Sequence, residues 1–68
     1  MKSVSGRRLA KLAEGKGWTL AMTKGSHHIY LHEDRIERLV IPFHANRTLK
    51  QGLQRALMKL IPLSEEEL

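Results

Sequence analysis

Residues 18–32, which read WTLAMTKGSHHIYLH, decide the fold because two short alternating runs flank a break that contains glycine. In residues 18–24, apolar side chains occupy every second position, which is typical of a half-buried β-strand. The break at Gly25-Ser26 is short and polar, and such a break between two strands indicates a β-hairpin. Residues 27–32 are therefore predicted to form the second strand.

Alternation also predicts which side chains of the hairpin share a face of the sheet. In the first strand, Trp18, Leu20 and Met22 are predicted to share one face. In the second strand, one face is predicted to carry His27, Ile29 and Leu31, and the other face His28, Tyr30 and His32. The apolar residues of the first strand are expected to be buried. Because Ile29 and Leu31 are apolar, His27 is expected on the buried face too, unless a β-bulge at Gly25-Ser26 turns it outward.

The segments on either side of the hairpin predict a helix and a third strand. The helix is expected over residues 3–16, with Ser5 as its N-cap. Either Gly15 or Gly17 is expected to take the left-handed conformation that ends this helix. The third strand is expected over residues 38–43. A proline near its end cannot donate a hydrogen bond, so the strand either stops there or lies at an edge of the sheet.

The last helix has the clearest helical period in the chain. Thr48 is its expected N-cap, and Gln51 three residues later completes a capping box. Gly52, early in this helix, is expected to allow a neighbouring backbone to approach closely. The predicted buried face consists of Leu49, Leu53, Ala56, Leu57 and Leu60, and the predicted exposed face of Lys50, Gln54, Arg55 and Lys59.

The order helix, three strands, helix predicts an α+β fold with a single domain over residues 1–63. The expected architecture is an αβββα sandwich of the double-stranded-RNA-binding-domain type, in which a three-stranded antiparallel sheet carries two helices on one face. Residues 64–68 form an acidic C-terminal tail, which is expected to fray or to add one helical turn. The sequence has no signal-peptide pattern and no apolar run that would span a bilayer, so a cytoplasmic protein with no membrane partner is expected.

The charge distribution indicates a negatively charged partner. Twelve Lys and Arg residues stand against seven Asp and Glu residues. Three of the acids are Glu65, Glu66 and Glu67, so residues 1–63 carry twelve positive and four negative charges, a net of +8. A compact domain with this charge favours RNA or DNA, or an acidic protein, as its partner.

The four histidines suggest catalysis of RNA cleavage more than binding of a metal. His27 and His28 point to opposite faces, His28 and His32 lie about 13 Å apart along a strand, and there is no cysteine, so neither a metal nor another cofactor is expected. RNA cleavage needs a base for the 2′-hydroxyl, an acid for the leaving 5′-oxygen and positive charge near the phosphate. His27 suits either proton role, and Lys24 with a backbone N–H of Gly25-Ser26 would bind the phosphate. The alternative is that His27 is only a polar residue at the start of a strand.

Three motifs resemble the HicA family of small toxins: Gly25-Ser26-His27-x-x-Tyr30, Pro42-x-His44, and Gly52 early in the last helix. The resemblance covers residues 4–60. It implies a fold like that of double-stranded-RNA-binding domains and an mRNA interferase activity, in which mRNA is cleaved without a metal. It also implies that His27 is the catalytic residue and that a HicB antitoxin neutralises the toxin by covering this histidine.

The remaining assignments follow from this interpretation. His44 is a second candidate in the site, whereas His28 is not expected to be catalytic. The residues expected to contact RNA or its phosphates are Lys24, Gly25, Ser26, His44, Arg7 and Lys50. The free chain is expected to be a monomer. Two other functions fit the charge: a non-catalytic RNA-binding module that uses the same basic face, and an interaction protein for an acidic partner.

Overall fold

The computed structural model describes all 68 residues and has the predicted order of elements. They are α1 (Gly6–Glu14), β1 (Thr19–Lys24), β2 (His27–Leu31), β3 (Leu39–Pro42) and α2 (Gln51–Leu60), followed by a 3₁₀ turn at Glu65–Glu67. The strands form one antiparallel sheet in the order β1-β2-β3. Both helices bury side chains in one hydrophobic cluster against the same face of this sheet. The predicted α+β fold, an αβββα sandwich, is confirmed.

Trp18 is buried in the core as predicted, although it lies just before β1 and not within it. Its side chain is buried, and its indole N–H donates a 2.9 Å hydrogen bond to the carbonyl oxygen of Ile61. The same buried cluster contains Leu9 of α1 and Leu39 of β3. Trp18 therefore joins the first helix, the sheet and the segment that follows α2.

The first helix begins at the predicted cap. The side-chain oxygen of Ser5 accepts a 3.1 Å hydrogen bond from the N–H of Arg8. The helix ends at Glu14, and the residue in the left-handed conformation is Gly17, with φ of +98°. The positive φ is what favours glycine at position 17, and a Cβ there would also lie 2.8 Å from Nε2 of His32, which would have to shift.

The buried face of the sheet is the opposite of the one predicted from β2. Tyr30 is buried beside its cross-strand partner Leu39, and the helices cover this face. The face that carries His27 has no cover, and Leu31 on that face is 46% exposed. The prediction that His27 lies on the buried face is therefore wrong. The residue already points outward in the regular register of β2, so the proposed bulge at Gly25-Ser26 is not needed.

β1 is exposed along its whole length, so the prediction of a half-buried strand is wrong as well. The pairing with β2 shifts at Ala21, which makes this residue a β-bulge. Leu20 pairs with Tyr30 on the helix side of the sheet, whereas Met22 pairs with Ile29 on the open side. One extra residue reverses the alternation, and the apolar residues of β1 consequently do not share a face.

Thr48 does not cap the last helix. It forms an isolated β-bridge with Ser5, and the N–H of Leu49 donates a 2.8 Å hydrogen bond to the carbonyl oxygen of Val4. The N-cap of α2 is Lys50, which makes no capping hydrogen bond through its side chain. The backbone at Thr48 thus holds the N-terminal segment in place instead of starting the helix.

The buried face of α2 is rotated relative to the predicted one. Gln54, expected to be exposed, has no exposed surface: its Oε1 accepts a 3.1 Å hydrogen bond from the N–H of Val4, and its Nε2 donates a 2.7 Å bond to the carbonyl oxygen of Lys2. Leu57 is buried as predicted, but Leu53 is 40% exposed. The buried face of α2 therefore includes a polar residue, which forms hydrogen bonds with backbone groups of the N-terminal segment.

The acidic tail is folded against the domain and forms a single 3₁₀ turn. The carboxylate of Glu67 accepts a 2.6 Å hydrogen bond from Nζ of Lys16 and a 2.8 Å bond from the N–H of Ser64. Leu68 packs against the hydrophobic core. These contacts fix part of the tail's negative charge beside the C-terminal end of α1.

Candidate functional site

The β1–β2 turn and the end of β3 lie side by side at one end of the sheet, formed by residues 24–28 and 42–44, which we call the hairpin end. Gly25 has a φ of +60° whereas Ser26 does not have positive φ, and positive φ at only the first of two loop residues is typical of a type II′ turn. The carbonyl oxygen of Ser26 accepts a 2.7 Å hydrogen bond from the N–H of Phe43. This bond fixes the turn against the residue that follows β3.

His27 is the first residue of β2 and projects from the open face of the sheet. It is exposed, and its imidazole makes no hydrogen bond and no ion pair. Its cross-strand neighbours are Lys24 in β1 and Pro42 in β3. Residues directly opposite each other share a face and have Cα atoms about 5 Å apart. The imidazole therefore meets solvent beside a lysine, and both of its ring nitrogens are accessible to a ligand.

His32 differs from His27 because both of its ring nitrogens are already used. The N–H of Asp34 donates to Nδ1 at 3.0 Å, and Nε2 lies 3.1 Å from the carbonyl oxygen of Lys16. A ring that accepts at Nδ1 and donates at Nε2 is the neutral Nε2–H tautomer. The ring also packs edge-on against Trp18, with centroids 5.3 Å apart. His32 consequently has a structural role at the end of the sheet remote from His27.

His28 lies on the helix side of the sheet, opposite to His27, as strand geometry predicted. Its ring stacks on Phe43 with centroids 3.6 Å apart and planes 3° from parallel. The guanidinium of Arg7 lies 5.8 Å from the centroid of the same phenyl ring, within reach of a cation–π contact. The stack joins the starts of β2 and α1 to the end of β3. Arg7, which the sequence predicts to contact RNA, therefore lies beside this stack.

His44 and Lys50, two further predicted contacts, line one cavity of about 240 Å³, which we call the basic cavity. Arg47 lines it as well, and Pro42 forms its wall on the side of the sheet. Pro42 is also the cross-strand neighbour of His27. The basic cavity is therefore adjacent to His27, and all the predicted site residues lie at or beside the hairpin end.

The acidic residues of the fold all lie away from the hairpin end. Neither helix carries an acidic residue in its first turn, and α1 begins at Gly6 directly beside Pro42 at the hairpin end. The partial positive charge of a helix N-terminus adds to the basic side chains there. The seven acids all lie elsewhere, at the end of α1, in the β2–β3 loop and in the tail: Glu14, Glu33, Asp34, Glu37, Glu65, Glu66 and Glu67. An anionic ligand is thus directed to the hairpin end.

Tyr30 belongs to the core and not to the site. Burial raises the pKa of its phenol above the ordinary value of 10.0, and the nearby carboxylate of Glu14 raises this pKa further. Glu14 ends α1, at the opposite end of the sheet from His27. The side chain of Tyr30 therefore lies on the opposite face of β2 from His27, and its phenol is not ionised at neutral pH.

Two further observations describe what the fold contains. No group of three His, Asp or Glu side chains is close enough together to hold a metal ion. None of the helices combines the length and the apolar character that crossing a bilayer requires.

Comparison with known proteins gives the family. A family model described as the HicA toxin of bacterial toxin–antitoxin systems matches residues 6–63. The chain belongs to the HicA toxin family. The matched HicA region begins with α1 and extends beyond α2, so it includes the hairpin end and the basic cavity. Membership implies an antitoxin as the partner of this chain. No curated protein matches the sequence.

Three residues of this HicA-family chain that matter for the site were not predicted. Gly6 is the position that allows close backbone approach, since a Cβ there would lie 1.9 Å from the carbonyl oxygen of Pro42. Gly52, for which this role was expected, has no atom within 4 Å of an added Cβ, so that expectation is wrong. Phe43 and Arg47 were missed too. The available signals were a glycine directly after an N-cap, and an aromatic and a basic residue in the segment that follows the third strand.

Proposed function

We propose that this HicA-family chain is a metal-independent endoribonuclease, an mRNA interferase, in which His27 acts as general acid or general base. The observation that carries the proposal is the state of the His27 imidazole. It is exposed on the open face of the sheet, makes no hydrogen bond and lies beside Lys24. Of the other three histidines, His28 is stacked on Phe43 and His32 has both ring nitrogens engaged, whereas His44 is exposed like His27 and lines the basic cavity.

The reaction that these groups suit is attack of the 2′-oxygen of RNA on the adjacent phosphorus. The 2′-hydroxyl loses its proton to a base, the new bond from the 2′-oxygen to phosphorus forms, and the bond from phosphorus to the 5′-oxygen breaks. An acid supplies a proton to the leaving 5′-oxygen, so the products are a 2′,3′-cyclic phosphate and a 5′-hydroxyl. His27 performs one of the two proton transfers, and the ammonium of Lys24 stabilises the negative charge that develops on the phosphate.

An antitoxin of the HicB type would inhibit this activity by covering the hairpin end. His27 projects from a sheet face that has no cover, and the turn that carries it is fixed by the bond between Ser26 and Phe43. A protein bound over this end excludes RNA without any change in the fold. The positive charge that attracts RNA also attracts an acidic antitoxin surface.

The proposal is tested by incubating the purified chain with end-labelled RNA in the presence of EDTA. We expect cleavage that leaves a cyclic phosphate, and no cleavage of the all-2′-deoxy strand of the same sequence. His27→Ala is expected to reduce the cleavage rate by about 10²–10⁴-fold, the usual contribution of a positioned acid or base.

The matched control for this assay is His32→Gln, because His32 lies at the remote end of the fold. Because this substitution disturbs the two hydrogen bonds of His32, the variant and the parent chain are compared at a temperature where circular dichroism shows both folded. Cleavage by His27→Ala at the rate of the parent chain would refute the assignment of His27. RNA binding without any cleavage by the parent chain would favour the alternative, a non-catalytic RNA-binding module.

A further inference from the structure

The basic cavity is a concave surface that the chemistry at His27 does not use. It has a volume of about 240 Å³ and lies between the end of β3 and the start of α2. Its polar lining includes three basic side chains, those of His44, Arg47 and Lys50. None of the three has an acidic partner, since the only two ion pairs in the chain involve the tail. A concave site with three unpaired basic groups favours an anion.

The walls of the basic cavity are held in place by backbone contacts. The N–H of Arg47 donates a 3.0 Å hydrogen bond to the carbonyl oxygen of His44, which closes the turn between these two residues. The N–H of Leu49 is bonded to Val4, which fixes the other side of the same segment. The backbone that carries the basic residues is therefore fixed before a ligand arrives, which reduces the part of the entropy cost of binding that comes from ordering the loop.

The cavity is close enough to His27 for one RNA strand to occupy both. Pro42 forms a wall of the cavity and is also the residue directly opposite His27 in the sheet. The Cα atoms of such a pair lie about 5 Å apart. His27 and the cavity are thus neighbouring places on the surface, separated in the sheet only by the pair that His27 forms with Pro42.

We propose that the basic cavity binds a phosphate of the RNA next to the one that is cleaved, with Arg47 as its principal ligand and Lys50 and His44 beside it. The inference rests on the proposed function for the identity of the strand, and it adds a second, non-reacting phosphate to the substrate. The guanidinium of Arg47 can donate two parallel hydrogen bonds to phosphate oxygens, which a lysine cannot. The cavity thereby positions the RNA over His27 without taking part in proton transfer.

The test measures RNA affinity with the His27→Ala chain, which keeps the RNA intact. A fluorescent hexaribonucleotide is compared with a set in which each phosphate in turn is replaced by a neutral methylphosphonate. Adding Arg47→Ala is expected to weaken binding of the unmodified RNA roughly three- to tenfold at low salt and to reduce the salt slope by about 0.7, the loss of one phosphate contact. At one linkage the methylphosphonate should abolish this difference, because the variant and the modified RNA remove the same contact.

The matched control is Lys59→Ala, which removes one positive charge from the remote end of α2. Its effect on affinity should be smaller and the same at every linkage. An Arg47→Ala penalty that persists at all linkages, or one no larger than that of Lys59→Ala, would overturn the phosphate site. Cleavage by chains with His27 intact tests the proposed function separately. If the methylphosphonate abolishes the Arg47→Ala penalty at one linkage but chains with His27 do not cleave RNA, the phosphate site is supported and the nuclease is rejected.

Discussion

The backbone N–H of Phe43 lies 2.7 Å from the carbonyl oxygen of Ser26, and this hydrogen bond ties the end of β3 to the turn that carries His27. Next to it, α1 rests on the carbonyl group of Pro42 through Gly6. Both contacts are made by the backbone, so they vary little with side-chain motion. The relative positions of His27, the basic cavity and the start of α1 are consequently fixed by the fold.

The contact at Gly6 predicts a large effect of the smallest possible substitution. In Gly6→Ala the new Cβ would lie 1.9 Å from the carbonyl oxygen of Pro42, so α1 must move away from the sheet. We expect a loss of about 1–3 kcal/mol in the free energy of unfolding, the usual cost of overpacking, measured by denaturation with guanidinium chloride. The control is Gly52→Ala, where no atom lies within 4 Å of the added methyl group.

For Gly52→Ala we expect a gain of about 0.5–1 kcal/mol, because alanine is favoured over glycine inside a helix. Equal effects of the two substitutions, in either direction, would contradict the packing at Gly6. Loss of stability in Gly52→Ala alone would show that α2 begins later than Gln51.

Local patterns in the sequence were sufficient to predict the elements and their order. The N-cap at Ser5, the turn at Gly25-Ser26 and the end of the third strand at Pro42 each depend on residues that are close in sequence. The exposed position of His27 was not predictable in this way. Both faces of β2 carry apolar side chains, and which face is buried depends on where two distant helices pack.

Neither the bulge in β1 nor the buried polar residue in α2 follows from the periodicity of the sequence, for similar reasons. An extra residue at Ala21 reverses the alternation, but nothing in a run of small and apolar residues marks it. Gln54 is buried because the N–H of Val4 needs an acceptor, a requirement set fifty residues away. The family resemblance assigned the catalytic role to His27 without information on its exposure, and this assignment stays a prediction. The basic cavity was not predicted: the sequence assigned only His44 and Lys50 to phosphate contact, and the signal for Arg47, a basic residue after the third strand, is weak.

The rotated face of α2 predicts opposite outcomes for two leucines that were assigned to the same buried face. Leu57→Asp places a carboxylate in the core and is expected to cost about 4 kcal/mol or more, enough to unfold a domain of this size. Leu53 is 40% exposed, so Leu53→Asp is expected to leave the chain folded with a much smaller loss. Circular dichroism and thermal melting measure both. A folded Leu57→Asp chain, or an unfolded Leu53→Asp chain, would contradict the observed orientation of the helix.

Gln54 predicts that removal of a buried amide is costly even when the replacement is apolar. In Gln54→Leu the N–H of Val4 and the carbonyl oxygen of Lys2 lose their partners, and an unsatisfied buried group costs about 1–3 kcal/mol. Hydrogen exchange at the Val4 amide should become faster in the variant. Gln51→Leu, at an exposed position of the same helix, is the control and should change stability by about 0.5 kcal/mol or less. Unchanged exchange at Val4 would show that Gln54 is not its acceptor.

The contact between the tail and α1 predicts a pH dependence of stability. The hydrogen bond from Lys16, with a smaller contribution from the N–H of Ser64, lowers the pKa of Glu67 below its ordinary value of 4.5. A lowered pKa means that the ionised carboxylate stabilises the folded state, so the contribution is complete above pH 4.5 and is lost as pH falls through the folded-state pKa. We expect Glu67→Gln to be less stable than the parent at pH 7 and equally stable in strong acid. A difference that stays constant with pH would show that the tail is not bound through this carboxylate.

The exposure of His27 gives the most direct prediction for living cells. We expect the parent chain, expressed alone, to slow the growth of a bacterial host, and the His27→Ala chain to leave growth unaffected. Because His27 makes no hydrogen bond and is exposed, the substitution should change the free energy of unfolding by about 0.5 kcal/mol or less. If immunoblots show equal amounts of the two soluble proteins, the difference in growth is due to the imidazole. Equal toxicity of the two chains would show that growth arrest does not depend on His27, and the catalytic role would then belong to another group at the hairpin end.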